Sequence, residues 1–223
     1  MSKVTPAQLA LEAVAAEAAG CRRCHLYKLG TQTVFGAGPA SSPVVMVGEQ
    51  PGDYEDRVGL PFVGPAGRVL DEALLAAGIR REHIYVTNAV KHFKNVPRGK
   101  RRLHQKPNAG EIDRCKWWLD LELEIIRPEL TVALGATAAR ALTGQPVKIM
   151  AMRGEITDVE LGRRILFTIH PSMLLRLVDA RSKAAEFDRF VADLEQIPKL
   201  VPSVGITLRK HQERPRARSI PSC

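Results

Sequence analysis

The run Val44-Val45-Met46-Val47-Gly48, followed directly by Glu49-Gln50-Pro51-Gly52, decides the fold. Four apolar residues in succession, with no polar alternation, read as a short strand covered on both faces. Glycine and proline then stop it. Three more runs share this character: Ile84 to Asn88, Leu130 to Gly135, and Ile165 to Ile169. Segments with helical spacing lie between or after them, at Ala66 to Ala77, Glu111 to Ile126, Ala136 to Leu142 and Ala184 to Gln196. This alternation predicts an α/β fold, a three-layer α/β/α sandwich around a central four-stranded parallel sheet. Ligands of such folds bind beyond the carboxyl ends of the strands. All four predicted ends carry polar residues or glycine: Gly48-Glu49-Gln50, Asn88, Gly135 and His170-Pro171-Ser172.

The 223 residues suit one domain with a core of its own. Residues 1–200 are expected to form it, and 201–223 to be a flexible basic tail. Lys and Arg outnumber Asp and Glu, for a formal net charge of +9, which favours a polyanionic partner. No run is apolar for long enough to span a membrane. Residues 8–19 are Ala-rich but hold Glu12 and Glu17, so they read as a helix rather than a signal peptide. A cytoplasmic monomer is expected, and disulfides are rare in that compartment.

Cys21 and Cys24 form a C-x-x-C at the end of the first predicted helix, and Cys115 and Cys223 stand apart. Three readings of the pair stay open on spacing alone. It is a couple of small residues at a helix end, a redox pair, or part of a metal or cluster site. The redox reading lacks the preceding strand that a thioredoxin-like unit has. A further signal is the basic loop Gly99-Lys100-Arg101-Arg102-Leu103-His104. Taken alone it is a solvated surface. If the strand ends lie side by side, however, it carries His104 toward Glu49 and His170.

The segments Gly48-Glu49-Gln50-Pro51-Gly52 and Gly59-Leu60-Pro61-Phe62-Val63-Gly64-Pro65-Ala66-Gly67 together resemble the first catalytic region of family-4 uracil-DNA glycosylases. Tyr85-Val86-Thr87-Asn88-Ala89-Val90-Lys91 resembles their base-recognition strand, and His170-Pro171-Ser172-Met173-Leu174-Leu175-Arg176 their second catalytic motif. The insert Lys100-Arg101-Arg102-Leu103-His104 is similar to that of the UdgX branch, whose members bond covalently to uracil-containing DNA through the histidine of this loop. The resemblance spans about residues 10–195, and the motifs are specific as a set.

It implies a partner and a set of roles. The partner is uracil-containing DNA, single-stranded first and double-stranded as an alternative, with the protein nucleoid-associated when bound. The glycosidic bond breaks to an oxocarbenium-like sugar and an anionic base, so both charges need stabilising. The base must be flipped out or come from a single strand. Phe62 is expected to stack under it, with a core phenylalanine as the alternative. Asn88 is expected to read the uracil edge, though a turn or cap residue after a strand has the same form. His170 would donate to O2, Gln50 and Gly52 would line the base site, and Ser172 would anchor a phosphate. Met173-Leu174-Leu175, Leu174 above all, would wedge the gap left by the base, with core packing as the alternative for the leucines, and Lys100, Arg101, Arg102 and Arg176 would meet phosphates. His104 is the expected nucleophile, oriented by Glu49. Gln50 stands where related motifs have an acidic or small residue, which speaks against conventional water activation. The resemblance also implies a [4Fe–4S] cluster. Cys21, Cys24 and Cys115 match three of the family's four cysteines, and His92 stands near the place of the other. A Cys3His set is expected, with Cys223, His25 or an open iron site as alternatives to His92.

Overall fold

Every residue of Val44–Gly48 (β1), Ile84–Asn88 (β2) and Leu130–Leu134 (β5) is buried, because helices cover both faces of the sheet they form. The computed structural model describes residues 4–159 and 163–206. The remaining elements, in chain order, are α1 (Pro6–Ala19), α2 (Asp53–Val58), α3 (Pro65–Ala76), β3 (Asn95–Arg98), β4 (Arg101–His104), α4 (Ala109–Ile126), α5 (Ala136–Thr143), α6 (Ile149–Met152), β6 (Ile156–Val159), β7 (Arg163–Thr168), α7 (Ala180–Leu194) and α8 (Gln196–Leu200).

Alternate strand residues feed two cores. Val45, Val47, Tyr85, Ala133 and Phe167 pack with α1, α4 and α5. Val44, Met46, Ile84, Val132 and Leu166 pack with α3, α7 and α8. The three-layer sandwich is therefore as expected, and its four parallel strands lie in the order β2-β1-β5-β7. A fifth strand extends the sheet. Ile156–Val159 pairs antiparallel with β7 at the edge, and its half-exposed residues carry too weak a pattern to announce a strand. Helix starts follow their caps. Asn108 accepts from Glu111 N–H while the Glu111 side chain accepts from Asn108 N–H, so α4 begins ahead of the expected Glu111. Asp179 accepts from Ser182 N–H and starts α7 ahead of the expected Ala184.

Two expectations need correction. The basic insert is a β-hairpin rather than a loop: β3 and β4 pair antiparallel around Gly99-Lys100, with Gly99 at φ 59° making the two-residue turn. The boundary at residue 201 also falls inside the fold. Val201 and Val204 are fully buried, and Ile206 N–H donates to Gly78 O at 2.7 Å. The rest of the expected tail, 207–223 with Cys223, lies outside the described residues. Among the described residues no helix is long and apolar enough to cross a membrane.

Candidate active site

β1 lies between β2 and β5, so the chain leaves β1 toward one side of the sheet and β5 toward the other. Such a switch point opens a crevice at the carboxyl ends. A cavity of about 640 Å³ lies here, and Glu49, Asn88, Thr137 and His170 each enter it from the end of a different parallel strand.

Its floor depends on two glycines. A Cβ on Gly48 would collide with Asn88 Oδ1 and lie 2.6 Å from Phe62 Cζ. A Cβ on Gly67 would collide with the Phe62 carbonyl oxygen. Bare backbone at both places lets the Phe62 turn close onto α3 and the ring meet the Asn88 amide. Phe62 itself adopts φ 56°, a strained conformation for an aromatic residue, and its ring lies 6.0 Å from that of His170. Asn88 is 3% exposed, and its side-chain amide has no hydrogen-bond partner among the described residues. An amide donor and acceptor left open toward a cavity suit a ligand. Beneath it, Lys91 Nζ donates to Asn88 O at 2.9 Å, Thr87 Oγ1 at 2.6 Å and Glu122 Oε2 at 2.5 Å. Tyr85 O–H donates to Glu122 Oε1 at 2.9 Å. This ion pair is fully buried, with its partners satisfied, and it fixes the end of β2.

Glu49, His104 and His170 do converge. His104 Nε2 lies 3.3 Å from Glu49 Oε1, and Thr137 O–H donates to Glu49 Oε2 at 2.5 Å. Burial alone would raise the Glu49 carboxyl. The hydrogen bonds from His104 and Thr137, with the charge of both histidines, reverse this and hold it below the usual range. His170 Nδ1 accepts from Ser172 N–H at 3.2 Å, and the Ser172 hydroxyl sits 2.9 Å away. The proton of the neutral ring is therefore on Nε2. Burial pushes His170 down to about 4, so at neutral pH it is an uncharged N–H donor.

The hairpin that brings His104 is held at both ends. Gln50 Nε2 donates to Lys94 O at 3.2 Å and Gln105 O at 3.1 Å, and Gln50 Oε1 accepts from Lys94 N–H at 3.1 Å. Arg102 donates from Nε to Asp53 Oδ1 at 2.6 Å and from Nη1 to Asp56 Oδ2 at 2.5 Å. Gln50 lines the cavity, and its side-chain amide is engaged at the hairpin base. Arg102 departs from its expected role, being tied to α2 rather than presented to phosphate. Lys100 and Arg101 are exposed at the hairpin tip, as phosphate contacts require. Gly52 lines the cavity. Leu174 is 1% exposed and belongs to the core, so it is no wedge; the exposed neighbour at the cavity mouth is Leu175. Ser172 orients His170, and Arg176 lines the cavity with Nη2 3.5 Å from the Ser172 hydroxyl. Thr137 carries no sequence signal of its own, although it stands two residues beyond the strand end at Gly135.

Cys21, Cys24 and Cys115 share one region. Cys115 Sγ accepts from Lys91 N–H at 3.1 Å, and Cys21 Sγ accepts from the Trp118 indole N–H at 3.1 Å. Burial pushes the Cys115 thiol up to about 12, with Lys91 pulling the other way and the thiols of Cys24 and Cys21 adding to the rise. Among the described residues no three His, Cys, Asp or Glu side chains converge tightly enough to hold one metal ion. A cubane cluster makes a different demand, because each ligand binds a different iron. The hydrogen bond of His92 goes to another partner than the thiols. Its Nε2 lies 3.0 Å from Thr33 Oγ1, whose own proton goes to Ala18 O at 2.9 Å. Nε2 must then carry a hydrogen, which leaves the lone pair on Nδ1. A histidine ligates through the nitrogen that lacks the hydrogen, so Nδ1 is the donor His92 has to offer, and in donor chemistry the four residues fit the group.

Comparison with known proteins gives a consistent picture. The model of the uracil DNA glycosylase superfamily matches residues 35–195. A type-4 uracil-DNA glycosylase of Thermotoga maritima is 36% identical over 197 residues, covering 87% of this chain and 96% of that protein. One from Archaeoglobus fulgidus is 35% identical over 172 residues, covering 74% and 83%. A type-5 uracil-DNA glycosylase of Pyrobaculum aerophilum is 31% identical over 158 residues, covering 61% and 64%. The matched region runs across every strand end that builds the cavity, and the chain therefore belongs to the uracil-DNA glycosylase superfamily.

Proposed function

We propose that this protein excises uracil from DNA and stays joined to the abasic sugar through His104, in the manner of the UdgX branch. The observation that carries the reading is the pairing of His104 Nε2 with Glu49 Oε1 at 3.3 Å, on the rim of a cavity that also holds His170. A flipped uracil stacks on Phe62 and meets the Asn88 amide, whose carbonyl accepts from N3–H and whose NH2 donates to O4. As the bond from C1′ to uracil N1 breaks, its electron pair goes to the base. The His170 Nε2–H donates to O2, where negative charge gathers. His104, neutral with its Nε2–H donated to Glu49 Oε1, adds the lone pair of Nδ1 to C1′. The new imidazolium is held by the Glu49 carboxylate through Nε2–H and loses that proton by way of Glu49 to solvent, and the uracil anion takes a proton from solvent. The adduct lacks an easy hydrolytic exit, so the protein acts once.

Exposed Lys100, Arg101 and Arg176 supply phosphate contacts, and Leu175 takes the place at the mouth expected for Leu174. In the same reading Cys21, Cys24, Cys115 and His92 hold a [4Fe–4S] cluster, a structural tie between the C-x-x-C segment, α4 and the exit of β2. The test is a denaturing gel after incubation with uracil-containing single-stranded DNA. A heat-stable shifted band is expected for the wild type and none for His104→Ala. Abasic product without the band means turnover with water as the nucleophile, and neither means a DNA-binding module; either outcome overturns the reading.

A further inference from the structure

Thr137 is a buried threonine whose hydroxyl ignores its own helix. It occupies the second position of α5 and is 3% exposed. A hydroxyl near a helix start commonly caps it, but α5 begins at Gly135 with no side-chain cap. The Thr137 hydroxyl reaches instead to Glu49, a residue 88 positions away, at 2.5 Å. Glu49 has two oxygens with two different partners: Oε2 on Thr137 and Oε1 on His104. A carboxylate accepts only, so Thr137 must donate.

We propose that Thr137 is a positioning residue for the catalytic carboxylate: its hydroxyl fixes Glu49 Oε2 so that Oε1 is presented, ionised, to His104 Nε2. The inference rests on the roles given above to Glu49 and His104. Among the described residues only Thr137 and His104 hold the Glu49 carboxylate, so without Thr137 rotation about its last bond would be fixed from one side alone. One strong donor to Oε2 settles that rotation and favours the charged form. Other charged or titratable groups facing the same space are His104 from β4, His170 after β7, Arg176, Lys106 and the α2 residues Asp53, Tyr54 and Glu55.

The experiment uses the full chain with Thr137→Val, Thr137→Ala and Thr137→Ser, and a uracil-containing single-stranded oligonucleotide. Initial rates of uracil release and of heat-stable adduct formation are followed from neutral pH into the acid range, with thermal melting as the fold control. Thr137→Val is expected to slow adduct formation about 10- to 100-fold, the range for loss of a hydrogen bond to a charged group. Without the donor the Glu49 carboxyl titrates higher, so the acid limb of the rate profile moves toward neutrality. Thr137→Ser should restore both rate and limb. If Thr137→Val melts far below the wild type, Thr137→Ala against Thr137→Ser becomes the deciding comparison. Wild-type rate and an unmoved acid limb in a folded variant without the hydroxyl would overturn the proposal. So would equal loss in Thr137→Ser, which would mean that only the methyl group matters. Glu49→Gln separates this from failure of the underlying reading. If the wild type forms adduct and Glu49→Gln forms it equally fast, Glu49 has no role and Thr137 cannot have one through it.

Discussion

His170 is useful because of a bond it receives. Ser172 N–H donates to Nδ1, which leaves Nε2–H as the donor on the cavity side. A charged imidazolium would stabilise the leaving base more strongly, but the enclosed position disfavours it and holds the ring down to about 4. This has a thermodynamic consequence. An unfolded histidine titrates near 6.5, so between there and about 4 the unfolded chain binds a proton that the folded chain refuses. The neutral ring's contribution to stability is complete above the unfolded value and is lost as pH falls through that window. The wild type should therefore lose up to about 3 kcal/mol more than His170→Asn between neutral pH and pH ~4, less as water reaches the cavity side of the ring. Denaturant titrations of both proteins at the two pH values measure this. Equal losses would mean that His170 carries no such burden.

In the proposed reaction the hairpin is the element that delivers His104, and its place is set from outside itself. Gln50 bonds Lys94 and Gln105 at its base, and Arg102 bonds Asp53 and Asp56 on α2. Gln50→Ala should leave β1 and the cavity floor intact while releasing His104 from its register with Glu49. Base excision is then expected to continue, with the heat-stable adduct formed about tenfold more slowly, as for loss of a modest set of neutral hydrogen bonds. Quantifying free uracil against shifted band checks it; parallel loss of both would place Gln50 at the base site after all. The sequence showed that His104 belongs with Glu49 but not how it gets there. Three basic residues in a row mask strand alternation, and the partners of Gln50 are backbone groups with no sequence signature. The four parallel strands were legible because burial on both faces leaves an unbroken apolar run. The edge strand Ile156–Val159 was not, because one face is wet. Leu174 and Leu175 show the same limit: identical residues, adjacent in a tight turn, one in the core and one at the cavity mouth.

Glu49, Asn88 and His170 come from three strands, and none is useful unless the sheet holds its register. Behind Asn88 the polar chain Lys91–Glu122 runs from β2 into α4, and Lys91 N–H goes on to the Cys115 thiol. The strand that ends at Asn88 and the expected cluster are thus joined through two contacts of one residue. On the other side Thr33 links Ala18 of α1 to His92 and sets the tautomer of its ring. A cluster at this junction would bind α1, the exit of β2 and α4 together, so its assembly is expected to be folding free energy for the whole molecule. The purified protein should then be brown, with about four irons per chain as a [4Fe–4S] centre requires. Cys115→Ser should bleach it and lower its melting temperature sharply. His92→Ala should lose iron while retaining part of the colour, because three thiols can still hold three of the irons. A chain ending at Ile206, which lacks Cys223, should match the full-length protein in iron and spectrum. The reverse pair of results, with the shortened chain bleached and His92→Ala unchanged, would assign the remaining ligand to Cys223 and leave His92 as a buried partner of Thr33.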